Sequence, residues 1–180
     1  MALAKEKSVL VIVDVQGKLA RIMSNSDALI GQLGVLIEGA KLLDMPIIWL
    51  EQLPDKLGPT VESLAEKLLP EQPIAKSAFS GYGEAAFRER LKKEGRTQVI
   101  LAGIETHVCV YQTAQDLLEN DYKVTVVADA VSSRSEENKQ IGLQMMTQRG
   151  AKLSCVEAVL FELQQKAEGE AFRGLIKLIK

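Results

Sequence analysis

The sequence predicts an α/β protein, a three-layer αβα sandwich whose Rossmann-like sheet is mostly parallel and has about six strands. Two observations lead to this prediction. Short apolar runs rich in β-branched residues alternate with longer segments of helical periodicity along the chain. The runs lack polar alternation, which is typical of parallel strands covered by helices on both faces. No repeat, low-complexity segment or linker interrupts the pattern, so residues 1–180 are predicted to form a single domain.

The predicted strands are short apolar runs bounded by charged or turn-forming residues. SVLVIVD at 8–14 is the clearest, because its apolar residues are mainly β-branched and the run ends at an acidic residue. The others are PIIWLE at 46–51, PIAK at 73–76, QVILA at 98–102, KVTVVA at 123–128 and KLSC at 152–155.

Helical periodicity occupies most of the intervening sequence. Segment 27–44 is the best example, and Met45-Pro46 marks its end because a residue before proline avoids helical geometry. Gly95 and Gly150 follow two further helical segments, as expected for C-cap glycines. Helices are predicted at 27–44, 61–69, 84–94, from the cysteine segment to about 120, at 135–149 and within 156–180, with loops at 52–60 and 77–83.

Composition and charge exclude several classes of protein. The formal net charge of −2 provides no basic footprint for nucleic acid, and no apolar run approaches the roughly 20 residues of a membrane span. The amino-terminal sequence lacks a signal-peptide cleavage site, and two cysteines are too few for a disulfide framework, so a cytoplasmic location is predicted. A single histidine, His107, argues against a metal site, and no cofactor is predicted.

Three side chains of reactive type follow different predicted strands. Asp14 ends the first strand, Lys76 ends the third, and Cys109 opens the helix after the fourth. Ligands of such sheets bind beyond the carboxyl ends of the strands, so the three residues are expected to converge there. The helix dipole favours a thiolate at a helix start, so a lowered pKa is expected for Cys109. Asp14 would accept its proton, and Lys76 would stabilise the charge.

Each of these residues has a structural explanation when taken alone. A lone cysteine is most often a small buried hydrophobe, and a strand-terminal Asp often caps a loop. The predicted location of all three residues at one edge of the sheet is what favours a catalytic role. Trp49 and Phe79, taken alone, would fit a hydrophobic core. The predicted substrate-binding residues are Gln16, Trp49, Gln52, Phe79, Tyr82 and Thr106.

Four segments carry a resemblance to a known family. In their order along nearly the whole chain, they resemble the isochorismatase-like cysteine hydrolases, a superfamily that also contains nicotinamidases and N-carbamoylsarcosine amidase. The EQLPDKLG and GIETHVCV motifs are most similar to isochorismatase-domain-containing hydrolases of unknown substrate. The four segments are VLVIVDVQ at 9–16, AKSAFSGY at 75–82, GIETHVCVYQTAQDLL at 103–118 and VVADAVSSR at 126–134.

The resemblance implies a catalytic triad of Asp14, Lys76 and Cys109. It also implies a cis peptide bond between Ile104 and Glu105 that would aim backbone N–H groups, including that of Cys109, at an oxyanion. A homo-oligomer is implied as well. Its candidate contact surfaces are the apolar segment 171–179 and the helix after Cys109.

Two departures from family patterns bear on the substrate. Authentic isochorismatases act on a vinyl ether and lack the cysteine, so Cys109 disfavours that activity. Metal-containing nicotinamidases carry Asp-x-His and a further His, whereas this chain has only His107. The sequence therefore predicts a metal-independent hydrolase that attacks a small amide or carbamoyl substrate through a Cys109 thioester.

Two alternatives stay open at this point. One is a non-catalytic or regulatory small-molecule-binding protein that retains the hydrolase pocket, against which the intact triad argues. The other is a redox-sensing Cys109 with Cys155 as the resolving thiol. Whether the loops at 52–60 and 77–83 close over the site also stays open.

Overall fold

The computed structural model describes residues 2–180 and contains one six-stranded sheet in which every pairing is parallel. The spatial order is β3-β2-β1-β4-β5-β6. The α/β prediction is confirmed, and the mostly parallel sheet is parallel throughout. The strands are β1 (Ser8–Val13), β2 (Ile47–Gln52), β3 (Ile74–Lys76), β4 (Gln98–Ile104), β5 (Lys123–Ser132) and β6 (Lys152–Ser154).

Helices cover both faces of this sheet. The α-helices of residues 2–180 are α1 (Gly17–Arg21), α2 (Ser26–Leu42), α3 (Pro54–Leu57), α4 (Glu62–Leu68), α5 (Ala85–Glu94), α6 (Tyr111–Glu119), α7 (Glu136–Gln148), α8 (Val156–Gln164) and α9 (Gly169–Ile179). Short 3-10 turns lie at Lys5–Lys7 and Gly81–Gly83, and a π-helical turn occupies Thr106–Val110.

The two cores explain why the strands lack polar alternation. Leu10 and Ile12 of β1 pack with α2, α4, α8 and α9 on one face. Val9, Val11 and Val13 pack with α5, α6 and α7 on the other. Since successive side chains of a strand point to opposite faces, a strand between two helical layers must be apolar at every position.

Local differences from the predicted elements lie close to the carboxyl edge of the sheet. α3 occupies part of the predicted loop 52–60, and α1 lies where no element is predicted. Both helices are too short to display helical periodicity in the sequence. β5 extends to Ser132, four residues beyond its predicted end, after a register shift against β4 between Leu101 and Gly103.

The strand order places a crevice between β1 and β4. The chain runs outward from β1 through β2 and β3, then returns to the other side of β1 as β4, which creates a topological switch point. Gly103 of β4 adopts a φ of +119°, and a Cβ there would lie 2.2 Å from the carbonyl oxygen of Val13. Only glycine permits this close approach, which brings the end of β4 directly beside the end of β1.

A helix that could span a membrane needs both length and apolar character. Between residues 2 and 180, no helix combines the two.

Candidate active site

Asp14 and Lys76 form a buried ion pair at the carboxyl edge of the sheet. Asp14 follows β1 with a φ of +53°, and Lys76 is the last residue of β3. The Lys76 Nζ lies 2.8 Å from Asp14 Oδ2, and both side chains are at most 2% exposed. Their strands are separated by β2, so the pair spans the sheet edge above the end of β2.

The Lys76 ammonium group is surrounded by oxygen atoms. Besides Asp14, it donates to Gln52 Oε1, to the carbonyl oxygen of Ala78 at 3.1 Å and to that of Phe79 at 2.9 Å. Gln52 is the residue paired with Lys76 in the β2–β3 register. The lysine is therefore held in one position by three hydrogen-bond acceptors and by the ion pair with Asp14.

Cys109 lies opposite this pair, within the π-helical turn that leads into α6. The N–H groups of Val108 and Val110 both donate to the carbonyl oxygen of Glu105, at 3.1 and 3.2 Å. The Cys109 Sγ makes a long contact of 3.9 Å to Gln52 Oε1, and the residue is 8% exposed. The turn begins at Thr106, so Cys109 is inside a helical segment instead of opening one.

The expected lowering of the Cys109 pKa is wrong. Burial raises the pKa of the thiol, the neighbouring Asp14 carboxylate raises it further, and Lys76 only partly opposes them, so it reaches about 12. The helix N-terminus stabilises a thiolate, but this effect is smaller than the combined cost of removing water from the thiolate and placing it beside a carboxylate. At neutral pH the resting sulfur is a thiol.

Asp14 has a raised pKa for a related reason. Burial is the largest cause, and the Glu51 carboxylate adds to it, while Lys76 and Cys109 oppose the shift. Neither carboxylate oxygen of Asp14 has a hydrogen bond of good geometry among the described residues. A buried carboxylate with unfilled acceptor capacity and a raised pKa, next to a protonated thiol, is suited to take the thiol proton.

A second ion pair supports the backbone that precedes Cys109. The peptide bond between Ile104 and Glu105 is cis. The Glu105 side chain is buried, its Oε1 accepts from Arg134 Nε at 2.9 Å, and its Oε2 lies 3.7 Å from His107 Nδ1. His107 also contacts Ser133 Oγ at 2.9 Å. These contacts tie the cysteine segment to the loop after β5.

Helix α7 contributes to this support through a close backbone contact. A Cβ on Gly142 would lie 2.8 Å from the backbone nitrogen of His107 and 2.8 Å from the carbonyl carbon of Thr106. Thr106 itself is fully buried, and its Oγ1 has no hydrogen-bond partner among the described residues. The hydroxyl of Thr106, a predicted substrate-binding residue, is therefore buried in the turn that contains Cys109 and is unpaired among the described residues.

The other five predicted substrate-binding residues fall into two groups. Gln52, Phe79 and Tyr82 lie on the segments around Lys76. The Gln52 amide is occupied within the protein, since Nε2 donates to the Ser77 carbonyl oxygen at 2.9 Å. Phe79 is 56% exposed, and its carbonyl oxygen holds Lys76. Tyr82 packs edge-on against Tyr122.

The structure corrects the prediction for Gln16 and Trp49. Gln16 is fully buried and donates from Nε2 to the carbonyl oxygens of Gln52 and Gly58, at 3.0 and 2.7 Å, so its amide fastens the segment after β2. Trp49 packs in the core on the face of the sheet opposite Cys109, and its Nε1 donates to Thr60 Oγ1 at 2.7 Å. Neither side chain is available to a substrate.

Sequence reasoning missed two buried carboxylates near the site. Glu51 is 5% exposed, and its Oε1 accepts from the Thr60 N–H at 2.7 Å and from Thr60 Oγ1 at 2.8 Å. Glu105 was expected only as part of the cis peptide. Their positions in the sequence could have identified them, because each residue lies at the carboxyl end of a strand.

Within residues 2–180, no three His, Cys, Asp or Glu side chains are grouped to hold a metal ion.

Comparison with solved structures shows close agreement over nearly the whole chain. The MAR1 ribonuclease from Caenorhabditis elegans superposes with a TM-score of 0.93 at 38% identity, covering 99% of this chain and 92% of that one. YcaC from Escherichia coli, described as an octameric hydrolase of unknown specificity, gives 0.94 at 26% identity, with coverages of 99% and 89%. YcaC from Pseudomonas aeruginosa, with hexane-2,5-diol and covalent acrylamide, gives 0.93 at 26% identity, with coverages of 98% and 91%.

Sequence comparison gives the same assignment. Isochorismatase domain-containing protein 2A of Mus musculus is 36% identical over 178 residues, 97% of this chain and 84% of that protein. The secreted isochorismatase effector Isc1 of Phytophthora sojae is 35% identical over 182 residues, with coverages of 99% and 87%. The family model for the isochorismatase domain matches residues 8–158. Because the family model covers most of the chain and the relatives align over nearly all of it, the chain belongs to the isochorismatase family of hydrolases.

Proposed function

We propose that the chain is a metal-independent cysteine hydrolase that cleaves a small amide or carbamoyl substrate through a Cys109 thioester. The observation that carries this proposal is the placement of the buried Cys109 thiol beside Asp14, whose carboxylate pairs with Lys76 at 2.8 Å. A nucleophile, a base and a group that orients the base are the components of covalent hydrolysis.

In the first half-reaction, Asp14 accepts the thiol proton as Cys109 Sγ attacks the substrate carbonyl carbon. The S–C bond forms, and the carbonyl oxygen becomes an oxyanion that backbone N–H groups, including that of Cys109, stabilise. The C–N bond then breaks, and the leaving nitrogen takes the proton from Asp14. Proton transfer is concerted with attack because the thiol is not ionised beforehand.

In the second half-reaction, Asp14 removes a proton from water, which attacks the thioester carbon. The C–S bond breaks, the acid product leaves and Sγ recovers its proton from Asp14. Lys76 keeps its charge throughout and offsets the carboxylate, which lies 2.8 Å from its Nζ in the resting site. The covalent acrylamide in Pseudomonas aeruginosa YcaC supports the nucleophilic part of this proposal, because acrylamide is an electrophile that nucleophiles attack at its alkene carbon.

A screen of small amides, ureas and carbamates for ammonia release tests the proposal. A substrate found in this screen should be turned over by the wild-type chain and lost in Cys109→Ala, Asp14→Asn and Lys76→Met. Cys109→Ser is a matched control, since it keeps the shape of the nucleophile but not its sulfur. Full activity in Cys109→Ala would refute the mechanism. RNA is tested separately, by strand cleavage instead of ammonia release, because of the ribonuclease neighbour in Caenorhabditis elegans.

The alternative function, a binding protein that retains the pocket, makes a different prediction in this screen. Small amides would then stabilise the fold on binding but release no ammonia in any variant. The mechanism requires turnover, so binding without turnover across the screen would favour the alternative.

The oligomeric state and the cellular location of the chain are inferred from its relatives. The octameric Escherichia coli YcaC supports a homo-oligomer of this chain, which light scattering of the purified protein would measure. A cytoplasmic location stays a prediction, since the Phytophthora sojae relative is named a secreted effector.

A further inference from the structure

Building on the proposed hydrolysis, we propose that the Cys109 site selects small uncharged substrates and rejects those that carry a carboxylate. Two features of the site carry this proposal: its buried charges have a negative excess, and its buried ammonium group is already fully paired.

The buried charges of residues 2–180 are concentrated at this one sheet edge. Four charged side chains in this range are buried, and they are Asp14, Glu51, Lys76 and Glu105. Three of the four are carboxylates. All four lie at the carboxyl end of a strand or directly after it, so their charges add to the electrostatic potential at this edge of the sheet. Asp14 is beside Cys109, whereas Glu51 follows Trp49 by two residues in β2 and acts on the site from the other face of the sheet.

Two of the three carboxylates have cation partners. Asp14 pairs with Lys76 at 2.8 Å, and Glu105 pairs with the half-exposed Arg134 at 2.9 Å. Glu51 has no cation partner among the ion pairs of the described residues, and it accepts hydrogen bonds only from Thr60. The excess charge is therefore negative. Burial is the largest cause of the raised Cys109 pKa, and the Asp14 carboxylate, the next cause, acts in the direction of this negative charge.

The Lys76 ammonium group cannot serve a substrate carboxylate. It has three protons, and four oxygen atoms already surround it: Asp14 Oδ2, Gln52 Oε1 and two carbonyl oxygens of the following loop. An anionic substrate would have to displace one of these acceptors from a buried position. A neutral amide needs no cation, and it only has to meet backbone donors and the thiol.

Iodoacetamide and iodoacetate test this selectivity without requiring a known substrate. Both alkylate a thiol by the same step, in which the S–C bond forms, the C–I bond breaks, iodide leaves and the thiol proton passes to base. They are similar in size and differ in charge. The measurement is the rate of alkylation of Cys109 by each reagent, by peptide mass spectrometry, with 2-mercaptoethanol as the uncharged reference thiol.

We expect the ratio of the iodoacetamide rate to the iodoacetate rate to be at least about tenfold larger at Cys109 than for 2-mercaptoethanol, because juxtaposed like charges are costly in a desolvated site. Equal ratios, or a preference for iodoacetate, would overturn the proposal. So would a Cys109 that neither reagent reaches while the exposed Cys155 reacts with both, since the site must admit small neutral molecules.

The Glu51→Gln variant tests whether the Glu51 charge contributes to the rejection of anionic reagents. The variant removes one charge and keeps an oxygen that can accept from Thr60. It should increase iodoacetate labelling of Cys109 severalfold and leave iodoacetamide labelling nearly unchanged. Glu62→Gln, at an exposed position of α4, is the matched control for loss of one charge. A Glu51→Gln ratio equal to that of wild type would overturn the role of Glu51.

A pair of amides separates this proposal from the proposed function. Pentanamide is neutral, and 5-amino-5-oxopentanoate is a close analogue that adds a carboxylate. Equal, Cys109-dependent hydrolysis of the two would refute charge selection and leave the hydrolase function standing. No hydrolysis of any amide, together with the expected alkylation ratio, would refute the function and leave charge selection standing.

Discussion

Replacing Asp14 by asparagine should separate the acidity of the Cys109 thiol from its reactivity in catalysis. The wild-type thiol has a pKa of about 12, for which burial is the largest cause and the Asp14 carboxylate the next. Asparagine removes the negative charge but keeps the side-chain volume. Because the Lys76 ammonium group remains, the Cys109 pKa should fall in Asp14→Asn, although turnover should be lost with the base.

The size of the signal follows from the wild-type value. With a pKa of about 12, roughly one thiol in ten thousand is ionised at pH 8 and roughly one in a hundred at pH 10. Thiolate absorbance near 240 nm, taken as the difference between each protein and its Cys109→Ala counterpart, isolates this sulfur from Cys155. The wild type should show almost no thiolate signal up to pH 10, and Asp14→Asn should show its signal at lower pH.

Two results would refute this reasoning. A wild-type Cys109 that ionises below pH 9 would mean that the site favours the thiolate, as the position near a helix start first suggested. An Asp14→Asn variant with an unchanged or higher thiol pKa would mean that the carboxylate does not act on the sulfur. Lys76→Gln is the matched control of opposite sign, since loss of the ammonium charge should raise the thiol pKa further.

Three further predictions concern stability. Lys76→Met leaves the buried Asp14 without its cation and should cost about 3–5 kcal/mol of unfolding free energy in urea, a loss that Asp14→Leu in the same chain should partly restore. Gly103→Ala puts a Cβ 2.2 Å from a carbonyl oxygen of β1 and should cost at least about 2 kcal/mol, whereas Gly31→Ala, with nothing within 4 Å, should be neutral or stabilising. Trp49→Phe loses one buried hydrogen bond and should cost about 1 kcal/mol without changing the kcat for any substrate found, because the indole lies on the far face of the sheet.

The positions of Asp14, Lys76 and Cys109 could be anticipated from strand ends, because a parallel sheet gathers the carboxyl ends of its strands at one edge. The state of the thiol could not be anticipated in the same way. A helix start favours a thiolate, but burial and the distance to a carboxylate decide the sign of the pKa shift, and both depend on the packed structure.

The predicted substrate-binding residues show the same limit. Gln16 follows the first strand and Trp49 lies within the second, yet Gln16 fastens a loop and Trp49 belongs to the core on the far face of the sheet. Side-chain direction along β2 alternates between the two faces, and the sequence does not say which face bears the site. The oxygen atoms around Lys76 were also beyond prediction, since two of them are carbonyl oxygens whose direction depends on the loop backbone.

By itself, the sequence determined the layered α/β fold and identified three candidate catalytic side chains, because apolar periodicity and strand-terminal residues are local properties. Only the tertiary structure decided how those side chains behave. Asp14 and Lys76 come from the ends of separate strands, and their charges act on Cys109 through space, while burial removes water from the thiol. The chemistry of the site therefore depends on desolvation and charge placement, which exist only once the sheet edge has assembled.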